Sequence, residues 1–368
     1  MTDRFSVALD VSALCINYPT GIAVYARGFI EELLRRPDEI DLDFYFKGKY
    51  FRDYAKYFTD LPKTPRRYVL KSITPNTHRP ITHSLDKQFL YNRGAINIAT
   101  IHDMTFFVEG NYVESWIGRR FKAKIARAND KIIRLADVIM TVSESSKSDI
   151  CRIYGVEEQR IKVIYPGFQS MTEGLSAQDD APILKKYGQS PRGYFLFAGR
   201  VELAKNVMSM IEAFKASGLE NDFNFIIAGP SEPDTEDIIR RSSEMGMDHS
   251  VKFVGFVPSE ELAALYRNAK GFVFPTYYEG FGMPILEAMT HGVPVLIGDR
   301  GAAPEIAAGH AVVADPFSVD EITSGMIKLA ENSHDPEALK LHAQSFTWKR
   351  FVDQVFDVYR EELAKRRS

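Results

Sequence analysis

Two rounds of strand-helix alternation constrain this 368-residue chain more than any other feature. In the first, "FSVALDV" predicts a strand, and "GIAVYARGFIEELLRR" follows with Ile22, Tyr25, Phe29 and Leu33 at helical spacing. "DLDFYFK", "INIATIHD", "DVIMTVS" and "IKVIYPG" predict further strands, and "SWIGRRFKAKIARANDKIIRLA" a long helix. "SESSKSDICRIYG" reads as a capped helix, with Ser143 as N-cap and Gly155 as stop. "FQSMTEGLSAQDDAPILKKYGQSPRG" (168–192) is polar and poor in strand formers, and its first part reads as a linker. The second round follows: strands "YFLFAGR", "FNFIIAGP", "SVKFVGFV", "GFVFPT" and "VPVLIG", each after the first preceded by a helical pattern. Apolar strands joined by helices call for parallel sheets covered on both faces. The expected fold class is therefore α/β, with two Rossmann-like domains over 1–168 and 169–348. The amphipathic 349–368 helix is expected to cross back onto the first domain. Ligands of such sheets bind beyond the carboxyl ends of the strands, so a cleft between the two domains is the expected site.

Composition excludes several classes. At 45% hydrophobic and 26% charged, the chain is not expected to be disordered. No apolar run reaches the length of a membrane span. The start, "MTDRFSVALDVSALC", lacks the basic, apolar and small-residue order of a signal peptide, and Cys15 and Cys151 have no metal-ligand spacing. A cytoplasmic location is expected. The net charge of −3 hides an asymmetry: 26 Lys and Arg against 20 Asp and Glu through residue 170, then 20 against 29. The basic half suits an anionic acceptor, a membrane surface or plain solvent. Without an interleaved basic and aromatic motif, no nucleic-acid partner is expected.

The candidate site residues fall at predicted strand ends. In "FAGRVELAKN", Arg200 follows a strand and Lys205 lies near a helix start, a pair of cations suited to a diphosphate. Gly21 in "PTGIAVY" lets backbone N–H groups approach a phosphate, or is an ordinary turn. His102 and Asp103 end a strand in "TIHDMTFF", where a His can meet a substrate hydroxyl and an Asp can cap a turn. "YYEGFGMPILEAMTHGVPVL" places Glu279 in a turn and Glu287 on the helix eight positions later. Two carboxylates at different depths suit two diols, one on a sugar and one on a ribose. Phe281, Gly282 and Met283 precede that helix, so their N–H groups are available to a ligand.

Together these motifs resemble the retaining glycosyltransferases of family 4, with the two-domain GT-B fold. The resemblance runs from "PTGIAVYARGFIEELL" to "EGFGMPILEAMTHGVPVL" and includes "GRVELAKN", "IIAGP", "VKFVGFVP" and "GVPVL" in order. It implies that Arg200 and Lys205 hold a donor diphosphate, with Gly21 bringing N–H groups to the phosphate. It further implies Glu287 on the ribose, Glu279 and the Phe281–Met283 backbone on the donor sugar, and His102 near the reacting sugar. The base would lie by Phe256, Val257 and Pro230, and Ser143 would line the cleft. "PTGIAVYARGFIEELL" and "TIHDMTFF" look most like bacterial mannosyltransferases of surface-polysaccharide synthesis, which implies GDP-mannose or a close GDP-sugar. One departure is that Ala23 and Val24 stand where many relatives carry a second Gly and an Arg.

The activity so implied is transfer of a hexose from a nucleotide-sugar donor to a glycan or lipid-linked acceptor, with no cofactor and no metal. UDP-sugar donors, a sugar-nucleotide epimerase and a non-catalytic sugar-nucleotide-binding protein are the alternatives. "DLD" at Asp41–Asp43 mimics an acidic metal pair but reads as a solvated strand end. The basic stretch Pro62–Pro80 is a lipid-diphosphate cradle, an acidic-glycan site or a surface loop. The helix bearing Trp116, Ile117, Phe121 and Ile125 among many cations has a stripe expected to serve the core, with peripheral contact at the inner face of the membrane as the alternative.

Overall fold

Every strand pairing in the two sheets of the computed structural model is parallel. The structure describes residues 4–15, 21–47, 67–71, 78–108, 116–168, 180–331 and 334–367. The chain divides into two units. One comprises Met1–Phe107, Glu114–Gln169 and Phe346–Ser368, and the other Val108–Val113 and Ser170–Ser345.

The first unit holds β1 (Phe5–Asp10), β2 (Ile40–Lys47), β3 (Arg67–Lys71), β4 (Ile81–Ser84), β5 (Ile96–Thr100), β6 (Val138–Thr141) and β7 (Ile161–Val163). Their spatial order is β3-β2-β1-β4-β5-β6-β7. Parallel neighbours cannot be joined by a hairpin, and helices Gly21–Leu34, Trp116–Leu135 and Glu144–Tyr154 make crossovers. The last has the predicted ends: Ser143 accepts from the Ser146 N–H, and Gly155 closes it at φ 65°. Strand β4 escaped the sequence reading because "ITHS" has one aliphatic residue. Its polar side chains are fully buried, with Thr82 bonded to Asn97, His83 to Tyr359 and Ser84 to the Leu90 N–H.

The C-terminal helix Trp348–Arg367 packs on this unit, as expected. Phe356 lies 4.8 Å from Phe5, and Phe351 lies 5.1 Å from Phe29. Its Tyr359 hydroxyl meets His83 Nδ1 at 2.7 Å. Burial pushes that imidazole down to about 3, so it sits in the core uncharged.

Two sequence expectations are corrected here. Asp43 is buried and pairs with Arg79, which also binds Asp41 and Ser6, so "DLD" is an ion-paired strand rather than a solvated end. Arg79 belongs to the basic stretch Pro62–Pro80, of which 67–71 forms β3 and 62–66 and 72–77 lie outside the described residues. Phe121 is exposed rather than in the core. Most of the expected linker, 169–179, also lies outside the described residues, and the chain resumes in helix Asp180–Lys186.

The second unit holds β8 (Tyr194–Ala198), β9 (Asn224–Ala228), β10 (Val251–Gly255), β11 (Gly271–Phe274), β12 (Val295–Gly298) and β13 (Val312–Ala314), in the order β10-β9-β8-β11-β12-β13. Phe195, Phe197, Phe225, Phe272 and Phe274 fill its core with no more than 1% exposure. The chain direction of winding reverses between β8 and β11, and that is where such a sheet opens a crevice for ligands.

Candidate active site

At that reversal, β8 runs into Gly199, Arg200 and the short helix Leu203–Lys205, while β11 runs into Pro275 and the turn carrying Glu279. Parallel pairing of β8 with β11 brings both strand ends to one edge. Lys205 Nζ there donates to Glu279 Oε1 at 2.8 Å. The two side chains are 22% and 13% exposed, so the pair is shielded well beyond a surface ion pair. Lys205 and Glu279 were expected to face different parts of a ligand; in the structure they face each other as an ion pair.

The supports of this pair escaped the sequence reading. Asn206 follows Lys205 with φ 62° and is 1% exposed. Its Nδ2 donates to the carbonyls of Pro275 at 2.9 Å and Pro316 at 2.7 Å. One amide thus fixes the loops after β11 and β13 to the loop that carries Lys205. The carbonyl of Glu279 accepts from the Ala302 N–H at 2.9 Å. The one local signal for Asn206 is an Asn just ahead of the apolar helix Val207–Ala216, the usual place of a helix cap.

Arg200 pairs with other carboxylates than Lys205 does. It is half-exposed and paired with Glu202 at 2.7 Å and Glu232 at 3.4 Å. Burial raises the Glu202 carboxyl, and the nearby Arg200 and Lys205 oppose that rise. The Arg200 loop is sutured to the loop after β9: Val201 N–H donates to the Pro230 carbonyl, Thr235 Oγ1 to the Val201 carbonyl, and Leu203 N–H to Asp234. Pro230 itself is exposed.

Glu287 lies in the second turn of helix Met283–Thr290, where Tyr266 Oη donates to Oε2 at 3.1 Å. Some of the residue's surface is accessible, yet burial of the carboxyl pushes it up to about 7, against the lowering effect of Tyr266. The folded form therefore holds a proton that the unfolded chain releases near 4.5, and this contribution to stability fades as pH rises through about 7. Glu287→Gln keeps that proton count fixed. Without nucleotide, it is expected to melt near the wild type at pH 5 and above it at pH 8. A melting difference that is the same at both pH values would refute the raised carboxyl.

The turn before this helix is set by Gly282, whose φ of 94° disfavours any side chain. Phe281 is buried and Met283 half-buried. Of the residues expected around a base, Phe256 is 65% exposed, whereas the Val257 side chain is turned into the core at 5%.

In the first unit, His102 Nε2 lies 2.8 Å from the Leu85 carbonyl. A carbonyl only accepts, so Nε2 carries a proton and Nδ1 is left facing other partners. The ring packs edge-on against Tyr25 at 4.7 Å. Ser143 is not a surface hydroxyl: it is fully buried, caps its helix and bonds Ser146 Oγ, which in turn donates to the His102 carbonyl. Ser143 therefore sits behind His102. Gly21 opens helix Gly21–Leu34 and is exposed, and a Cβ there would touch nothing. Among the described residues, no group of three or more His, Cys, Asp or Glu is placed to hold a metal ion.

Residues 181–346 match the model of glycosyl transferases group 1, and residues 76–169 that of Glycosyltransferase Family 4. Together the two spans exceed half the chain. The chain is a family 4 glycosyltransferase. Arg200, Lys205, Glu279 and Glu287 fall in the first matched span, His102 and Ser143 in the second, and Gly21 in neither. This glycosyltransferase is 29% identical to O-antigen chain mannosyltransferase B of Escherichia coli over 269 residues, 72% of the chain and 70% of the relative. An uncharacterised glycosyltransferase of Methanocaldococcus jannaschii is 28% identical over 96% of the chain and 98% of its own length. The structure of Anabaena Alr3699/HepE in complex with UDP-glucose has the same fold, with TM-score 0.72, 15% identity, and coverage of 97% of this chain and 100% of that one. That fold is GT-B.

Proposed function

We propose that this glycosyltransferase transfers mannose from GDP-mannose, with retention at the anomeric carbon, to a glycan or lipid-linked oligosaccharide in surface-polysaccharide synthesis. The Lys205–Glu279 pair at the sheet's reversal is the observation that carries the reading. Similarity to an O-antigen mannosyltransferase supports the choice of sugar. A bound diphosphate draws Lys205 Nζ and the half-exposed Arg200 guanidinium to its oxygens. Glu279, released from Lys205, accepts from donor-sugar hydroxyls, and Glu287 accepts from the ribose. As the C–O bond to the diphosphate breaks, the two cations stabilise the charge gathering on the leaving oxygen. The acceptor hydroxyl forms the new C–O bond on the same face and gives its proton to that oxygen. His102, through Nδ1, is positioned by its Leu85 and Tyr25 contacts to accept from a sugar hydroxyl. Two cations suffice to offset a diphosphate, so the reaction is metal-independent.

The test is the melting point of the purified protein with EDTA and GDP, UDP, ADP, dTDP or their common sugars. Ligands that bind the native state raise it. A rise with GDP and GDP-mannose alone is the expected outcome. A rise with UDP-sugars only would overturn the donor, and no rise at saturation would favour a non-catalytic role.

No helix among the described residues is long and apolar enough to cross a membrane. The proposed location is the cytoplasm, at the inner face of its membrane. Helix Trp116–Leu135 supports this: Arg120, Lys122, Lys124, Arg127, Lys131 and Arg134 are exposed along it. The exposed Phe121 lies 5.2 Å from Phe106 and under the Lys87 ammonium at 5.4 Å. Cations around an exposed ring match an anionic lipid surface. Co-sedimentation with phosphatidylglycerol-containing vesicles is expected, with loss on Phe121→Ser plus Lys122→Glu. Equal recovery with purely zwitterionic vesicles would sink the membrane reading.

A further inference from the structure

Beyond the Lys205–Glu279 pair, the same edge of the second sheet carries an aromatic stack that the chemistry above leaves unused. Tyr277 follows β11, Arg300 follows β12 and Phe317 follows β13. The Tyr277 and Phe317 rings are stacked at 4.8 Å with 29° between their planes. The Arg300 guanidinium carbon lies 5.2 Å from the Phe317 ring centre. Phe317 is nevertheless 49% exposed.

An exposed Phe alone means little. This one is held in place. Its N–H donates to Asp315 Oδ1 at 3.0 Å, and the carbonyl just before it, that of Pro316, is gripped by the buried Asn206. The second bond of Asn206 grips Pro275, two residues before Tyr277. The amide that fixes the Lys205 loop thus also holds the backbone just before each ring of the stack. Around the rim, Arg300 lies 3.5 Å from Asp299 and 3.9 Å from Asp315. The site therefore offers a partly exposed aromatic surface bordered by donors and by anionic acceptors. Phosphate is disfavoured by the two aspartates. A pyranose fits: its C–H face covers a ring, and its hydroxyls both donate and accept.

We propose that Tyr277, Phe317 and Arg300 form a stacking subsite for a hexose ring. The inference rests on the chain acting on hexoses, as proposed above. The hexose comes either from the acceptor glycan or from the donor.

Saturation-transfer NMR with α-linked mannotriose as probe tests this on the full chain. The wild type is expected to show transfer to the sugar ring protons, and Phe317→Ala to bind about three- to tenfold more weakly, the loss of one aromatic contact. Phe317→Tyr retains a flat ring and is expected to restore binding. Binding that persists beside saturating GDP-mannose assigns the subsite to the acceptor; displacement by GDP-mannose but not by GDP assigns it to the donor hexose. Equal binding by wild type and Phe317→Ala overturns the proposal, as does a wild type that shows no transfer. The GDP-mannose melting shift is read on the same samples, so failure of the donor reading appears there and not in the mannotriose signal.

Discussion

Lys205→Ala is expected to lower kcat/KM by about 10²- to 10³-fold, the usual effect of removing one group that stabilises developing charge. Glu279→Gln is expected to lower it by a similar factor, since the proposed role of this carboxylate is to accept from donor-sugar hydroxyls as the bond to the diphosphate breaks. Their effects are not expected to add. Each single change leaves the other charge unpaired in a place only 22% or 13% exposed, and the double variant removes both charges together. The stability of the nucleotide-free protein should show the same pattern, with Lys205→Ala melting lowest and Lys205→Ala with Glu279→Gln recovering part of the loss. Steady-state kinetics with the donor identified by melting, together with melts of the three variants, checks this. Singles that lose less than about tenfold would remove Lys205 and Glu279 from the reaction. Strict additivity would deny the pair.

Gly229→Ala is expected to unfold the second unit or weaken it by about 3 kcal/mol or more, from overpacking together with backbone strain. Gly229 follows β9 with φ 151°. A Cβ on it would stand 1.6 Å from the Gly199 carbonyl oxygen. Neither backbone is free to retreat: Gly199 N–H donates to Ala228, and Gly229 N–H donates to Gly255. The closeness serves the site, because Gly199 leads into Arg200 and Gly229 into Pro230. Urea melts followed by far-UV circular dichroism measure the loss. A drop below about 0.5 kcal/mol, the ordinary range of a surface change, would show that the strand ends separate easily.

Much of this was legible along the chain. Ser143 and Gly155 bound their helix because caps act on backbone groups within a few residues. The strands of the second unit, from "YFLFA" to "VLIG", announced themselves as apolar runs because strands covered on both faces carry little polar surface. The family was legible too, since its motifs recur in order at strand ends. The same local logic missed β4, whose polar side chains are satisfied by partners up to 276 residues away. It also assigned Phe121 to the core, because periodicity shows that a helix has an apolar stripe and not what lies opposite it.

By itself, then, the sequence determined the α/β class, the two rounds of strand and helix, the main helix ends and the membership of family 4. Each depends on patterns repeated every two to four residues or on motifs read in order. The tertiary structure alone decided the partners: Arg79 with Asp41 and Asp43, Asn206 with Pro275 and Pro316, Lys205 with Glu279, and Tyr277 with Phe317. Those contacts follow from which strands lie side by side. That order places β11 next to β8 although helices and two other strands separate them along the chain. A side chain carries its charge and shape in the sequence, but what it neutralises or stacks on is set only when the sheet brings distant strand ends to one edge.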